Sequence, residues 1–256
     1  MAEHNVDSLD ELEQLEQRLA GSLDATPALN HLPAPRQLKR ARREVRRRPV
    51  GPPQPKQGYH HGDLARALID GAITLINEQG PRGWSLRAVA KLAGVSPAAP
   101  YRHFADKEAL LAAVAEEGFL MLQEFMDEDI PEGLAPRPRL ERLGLAYVRF
   151  AQRHPAHFRV MFGPDIENKP SYTGLYEASQ QTFTRILENF EALCTRGELA
   201  GHDPEVLTLA FWAQIHGLTS LILDRQVAVD TLGDGTIPGL ANTLMTLLLN
   251  GMAHPQ

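Results

Sequence analysis

From Asp63 onward, apolar residues return every three or four positions, and no stretch keeps the two-residue alternation of a half-buried strand. That periodicity restricts the chain to helices packed on helices. Leu64, Leu68, Ala72, Leu75 and Ile76 make the stripe of a first helix, stopped at Gly80-Pro81. Ser85 can cap a second helix, with Leu86, Val89, Ala90 and Ala93 facing inward, and Gly94 ends it in a tight turn. Ser96 can cap a third, very short helix with Pro97 at its first position, and Asp106 a fourth, running from Lys107 to about Met126. PEGLAPRPR reads as a hinge, and further helices are predicted over roughly 139–153, 156–162, 172–198, 204–225 and 237–251. The fold class is all-α, in two parts: a small N-terminal unit and a larger bundle.

Residues 1–57 read as a flexible extension outside this body. Residues 1–24 carry seven acidic side chains against Arg18, and residues 36–48 carry eight basic ones against Glu44. A basic block on an acidic chain of net charge −6 has the layout of a local phosphate-binding footprint, and an ordinary solvated tail is the plainer reading. A third reading is autoinhibition, with the acidic segment lying on the basic block. Pro-rich RPVGPPQPKQG separates the block from the first helix. No run of about 18 apolar residues appears, and the acidic N-terminus has no apolar core of a signal peptide, so neither a membrane span nor export is expected. Cys194 is the sole cysteine, which excludes an internal disulfide and fits a cytoplasmic protein.

Helix two, the turn Gly94-Val95-Ser96 and helix three have helix-turn-helix spacing. The pattern Gly80, Ser85, Ala90, Gly94-Val95-Ser96, Tyr101, Phe104, Lys107-Glu108 and Leu110-Leu111 resembles the N-terminal domain of TetR-family transcriptional regulators, over about residues 60–111. The resemblance implies a helix-turn-helix DNA-binding domain at 58–111, with its linking helix reaching about 126, and an effector-binding and dimerisation domain at 137–256. It implies double-stranded DNA, a second copy of the chain and a small apolar effector as partners. AYVRFAQRHPAHFRVMF and FWAQIHGLTSLI resemble the TetR subgroup with a Trp-His-Gly signature, here Trp212, His216 and Gly217. The implied function is that of an effector-responsive repressor binding a palindromic operator. The alternative is an adaptor whose helix-turn-helix does not read DNA.

By this resemblance Ser85 and Arg87 approach one groove wall, and Ser96, Pro97, Ala98 and Ala99 form the reading tip. Tyr101 and His103 are suited to fixing the register on the DNA backbone, Arg102 belongs to the same DNA-binding set, and Lys107 sits at a helix N-terminus suited to a phosphate. The tip carries no long polar side chain. Ala98 and Ala99 can offer methyls to a thymine methyl, so specificity is expected to lean on DNA shape and on Arg87. Pro100 departs from the family pattern, which usually has an aliphatic residue there. Its missing N–H would have bonded the Ser96 carbonyl, and it biases Ala99 away from α, so a distorted, partly 3₁₀ recognition helix is expected.

In the larger part, Phe150, His154, Phe158, Met161, Phe183, Trp212 and His216 are the candidate effector-pocket residues, with core packing the competing reading. Leu207, Phe211, Leu218 and Leu221 line one stripe and Leu240, Leu244, Leu247 and Leu248 another, which together are expected to form a two-fold interface. His154 and His157 are three apart but lack a clear third metal ligand. No nucleophile with base and orienter, no paired catalytic carboxylates and no phosphate loop are evident, so neither enzyme activity nor a cofactor is expected.

Overall fold

A computed structural model describes residues 61–128 and 130–252. The expectations for residues 1–57, including the acidic segment and the basic block, lie outside the described residues.

Eight α-helices and no strand occur among the described residues. They are α1 His61–Gln79, α2 Leu86–Leu92, α3 Lys107–Glu128, α4 Pro136–Arg153, α5 Pro155–Met161, α6 Thr173–Thr195, α7 Pro204–Leu223 and α8 Ile237–Met252. Short 3₁₀ turns stand at Pro100–Arg102, Lys169–Ser171 and Val229–Thr231. The apolar core is one contiguous cluster from Leu68 in α1 to Leu249 in α8. Its axis is α3, which packs on α1, α4, α5 and α6. Leu110, Leu111, Val114, Phe119, Leu122 and Met126 are buried around this helix, as an almost all-round apolar helix must be. Gly118 admits the close approach of α5, since a Cβ there would stand 2.5 Å from Met161 Sδ. A buried polar tie fixes the register of α3 on α6: Gln123 donates to the Ala178 carbonyl (2.9 Å) and to Thr182 Oγ1 (3.2 Å).

The hinge expected at PEGLAPRPR is only half a loop. Pro136 and Pro138 lie inside the first turn of α4, where a missing N–H removes no helical bond. A second difference concerns α7. It is long and apolar enough, by length and composition, to cross a membrane, which a search for uninterrupted apolar runs misses because Gln214 and His216 break the run. In this fold α7 packs on α4, α6 and α8.

The expected two-fold stripes also divide. Leu207, Phe211, Leu218 and Leu240 are buried in the chain's own core, and Leu244 and Leu248 pack against it from the side. Leu207, Phe211, Leu218 and Leu240 are thus covered within one copy, while Leu244 and Leu248 stay half-buried. Leu221 and Leu247 point outward, joined by Val206, which is 62% exposed.

Candidate functional site

The turn from α2 into the reading segment is built by the backbone. Gly94 takes φ +68, Val95 N–H bonds the Ala90 carbonyl (2.9 Å) and Gly94 N–H the Lys91 carbonyl (3.2 Å). This paired closure satisfies the last carbonyls of α2 and needs the left-handed conformation that glycine tolerates. At the other end, Ser85 Oγ accepts from Ala88 N–H at 3.4 Å, capping the helix.

The reading segment forms no α-helix. Ala99 N–H bonds the Ser96 carbonyl (2.9 Å) in a single turn, and Pro100, with no N–H, breaks the ladder at the next step. A 3₁₀ turn follows, with Arg102 N–H on the Ala99 carbonyl (3.2 Å) and His103 N–H on that of Pro100 (3.0 Å). The expected 3₁₀ character is therefore present, and the expected short helix capped by Ser96 is replaced by these two turns. Ala99 itself stays in the right-handed helical region, φ −64 and ψ −40, against the bias of the following proline. Its carbonyl is held there by Arg102 N–H, and Pro100 is anchored by burial in the core. Ser85, Arg87, Ser96, Pro97, Ala98, Tyr101 and Arg102 are exposed, and Ala99 and His103 are half-buried.

Lys107 is placed differently from a free phosphate clamp. Its Nζ donates to the carbonyls of Trp84 (3.0 Å) and Arg82 (3.2 Å) and lies 4.4 Å from the centre of the Trp84 ring. Partial burial lowers the pKa of this ammonium, and the nearby Asp165 carboxylate opposes the shift. The side chain thus locks the turn before α2 to the first residue of α3. Trp84 went unnoticed in the sequence. A large apolar residue immediately before a helix cap, with Val89 one turn on, is the signal that could have found it.

Beyond α3 the aromatic and histidine side chains converge. Phe150 stacks on His154 (ring centres 5.4 Å, 30° between planes), and Phe158 stacks on His216 (5.3 Å, 23°). Phe162 meets Trp212 at 6.0 Å and His216 at 5.0 Å. A cavity of about 160 Å³ opens here, lined by Phe158, Arg159, Phe162, Gly163, His216, Ser220, Leu223 and Asp224. Of the candidate pocket residues, Phe158 and His216 line it and Trp212 stands behind its wall. Phe150 and Met161 are fully buried in the core, His154 packs between Phe125 and Phe150, and Phe183 lies on α6 away from the cavity. Ser220 was missed, although it follows His216 by one helical turn.

His216 is the polar centre of this wall. Its Nδ1 is 2.8 Å from the Tyr147 hydroxyl, and its Nε2 is 3.5 Å from Ser220 Oγ. Burial disfavours the imidazolium and lowers its pKa, so the ring is neutral at pH 7. Burial likewise pushes the Tyr147 hydroxyl well up. His154 is lowered first by burial, then by the charges of His157 and Arg153. Among the described residues, no group of three or more His, Cys, Asp or Glu side chains is placed to hold a metal ion.

Two ties join the small unit to the bundle. Arg66 of α1 bonds Glu117 Oε2 (2.5 Å), whose other oxygen meets His157 Nε2 of α5 at 3.1 Å. Arg82, between α1 and α2, donates from Nε to Asp165 Oδ1 at 2.6 Å.

Residues 68–114 match the model of the bacterial regulatory proteins of the TetR family, and residues 140–236 match that of the tetracyclin repressor-like C-terminal domain. A fatty acid metabolism regulator protein of Bacillus subtilis is 25% identical over 186 residues, 72% of this chain and 93% of its own. A structure of a protein of unknown function from Rhodococcus sp. RHA1 is 31% identical, with TM-score 0.62, over 78% of this chain and all of that one. The FadR regulator of Bacillus subtilis, solved in complex with stearoyl-CoA, shares the fold at 20% identity and TM-score 0.59, over 73% of this chain and 98% of that one. The two family models follow one another along the chain, fall on the reading head and on the bundle that holds the cavity, and agree with the all-helical architecture: the chain belongs to the TetR family of DNA-binding, ligand-binding transcriptional regulators and is not an enzyme.

Proposed function

We propose that the protein is an effector-responsive repressor of the bacterial cytoplasm that binds a palindromic operator as a homodimer. Within the family we assign it to the branch carrying Trp212, His216 and Gly217. The observation that carries the dimer is the bare apolar face on α7 and α8. Val206, Ala213 and Leu221 on α7 and Leu247 on α8 are exposed, Leu247 by 61%. Gly217 on α7 and Gly251 on α8 have open space where a Cβ would stand, which lets a second backbone approach. An outward apolar stripe with glycine gaps is the surface a second copy covers. Two heads held by such a two-fold bundle address half-sites about one helical turn apart. The DNA-facing set is Ser85, Arg87, Ser96, Pro97, Ala98, Ala99, Tyr101, Arg102 and His103. At Lys107 the contact falls to the backbone N–H groups at the start of α3, because the ammonium is engaged by Arg82 and Trp84.

The effector we propose is amphipathic, with its apolar part between Phe158, Phe162 and Leu223 and its polar group toward His216 and Ser220. The fatty acid regulator among the relatives supports an apolar ligand. A cavity of about 160 Å³ is the size that takes a single ring, so a long-chain ligand requires its walls to part.

Selection of bound sequences from random DNA tests this reading. Enrichment of an inverted repeat, with a sedimentation mass near twice the 28.3 kDa of one chain, is the expected result. A strictly monomeric protein, or binding that enriches no sequence and vanishes with salt, overturns it.

A further inference from the structure

We propose that residues 162–172 form a strap that carries the state of the cavity to the reading head, with the Arg82–Asp165 ion pair as its buckle. The inference rests on reading the cavity as the effector site, and it adds the residues through which that site acts.

Phe162 and Gly163 close one side of the cavity, and every other lining residue lies on α5, on α7 or at the last cap of α7. Two residues further along, Asp165 holds Arg82 of the head (2.6 Å). The other oxygen of that carboxylate leans back on the wall, 3.4 Å from where a Cβ on Gly163 would stand. The head's anchor therefore sits beside the cavity wall. Arg82 belongs to the turn that leads through Trp84 into Ser85, the cap of α2. The carbonyls of Arg82 and Trp84 also hold Lys107, the first residue of α3. A displacement at Arg82 is consequently felt at the start of both helices that flank the reading segment.

The rest of the strap is fastened. Ile166 is fully buried, and Lys169 donates to the Met161 carbonyl at 2.6 Å. At the far end Tyr172, the cap of α6, donates its backbone N–H to the Lys169 carbonyl at 3.0 Å. A segment pinned this way moves as a unit. The cavity, at about 160 Å³, is below the 300–1,000 Å³ usual for small-molecule sites, so a larger ligand must push a wall outward. The helical walls resist through their packed cores, and the loop wall yields. The buckle is made to open: Arg82 is 73% exposed and Asp165 12%, and such a pair contributes at most a factor of about five.

The test uses the full chain with spin labels at K91C on α2 and E177C on α6, in a C194S background. Both labelled positions are exposed and outside the DNA-facing set. S220F fills the cavity as a built-in ligand, and L223F does so from the next turn if S220F does not fold. The expected result is a shifted head–body distance in S220F, no further shift when S220F is added to D165N, and recovery of the shift in the charge-reversed pair R82D/D165R. On the selected operator, S220F weakens binding by up to about five-fold, shrinking to under about two-fold in D165N. Equal shifts with and without Asp165, or no shift from either filled cavity, overturn the strap. Failure to select any operator overturns the repressor reading instead, and the label distances still decide the strap.

Discussion

Residues 94–104 and 154–163 are of nearly equal length and opposite construction. The first segment is held by backbone bonds and glycine geometry, and half of its side chains, including Tyr101 at 54% exposure, face solvent. The second is held by side chains: His154, His157, Phe158 and Phe162 interlock as rings at separations of 5.0–6.0 Å with each other and with Phe125, Phe150, Tyr147, Trp212 and His216. A surface whose contacts are to be supplied by DNA cannot spend its side chains on the protein. A sensing wall must be packed, because only a packed wall converts an intruding atom into displacement.

The sharpest way to break this contrast is to truncate one side chain in each segment. F158A removes a buried ring and is expected to cost about 3–5 kcal/mol, while A98G in the exposed tip is expected to cost under about 1 kcal/mol. Urea unfolding of the two variants decides it, and equal losses would erase the distinction.

Lys169 adds a buried polar cost beside the second region, where it donates to the Met161 carbonyl at 2.6 Å. Burial lowers its pKa to about 8 from 10.5. Between those values the unfolded chain holds the proton that the folded one releases, so stability rises with pH from 8 to 10.5. The wild type should gain on the order of 3 kcal/mol over K169M between pH 7 and 10.5, read from paired denaturation curves. A constant difference would show that the ammonium is solvated.

G94A tests the backbone-built segment. An alanine at φ +68 should cost about 1–2 kcal/mol, with operator binding falling alongside the thermal midpoint. A smaller effect follows from Y147F, which removes the 2.8 Å partner of His216 Nδ1 and should cost about 1 kcal/mol. Because burial holds the His216 pKa below 6.5, the unfolded state takes up its proton first as pH falls. The wild type therefore loses stability below pH 6.5, and H216N should show a flatter acid limb in the same titration. Smallest is P100A. It restores an N–H for the Ser96 carbonyl at a net change under about 1 kcal/mol. Slower amide exchange across residues 99–103 is its signature, and unchanged exchange would mean that Pro100 is not what interrupts the helix.

The helices were legible because each announces itself locally: Ser85, Gly94 and Asp106 cap or end elements where the sequence placed them. The reading segment was legible in outline for the same reason, since the consequence of a proline at position 100 is confined to its own turn. What the sequence hid depends on which side of a helix meets which neighbour. The α7 stripe of Leu207, Phe211 and Leu218 looks the same whether it faces its own bundle or a second copy, and only the packing of α4, α6 and α8 turned it inward. Lys107 looked like a phosphate ligand because its partners are carbonyls, which carry no sequence signal. The strap was invisible because Arg82 and Asp165 lie 83 positions apart.

That same exposed guanidinium bears on how any DNA titration of this protein will behave. Added electrolyte weakens contacts to phosphate, and it also screens Arg82 from Asp165, loosening the head before DNA arrives. A plot of affinity against ionic strength would then report two processes at once, and counting phosphates from its slope would overstate their number unless a variant lacking Asp165 is run beside it.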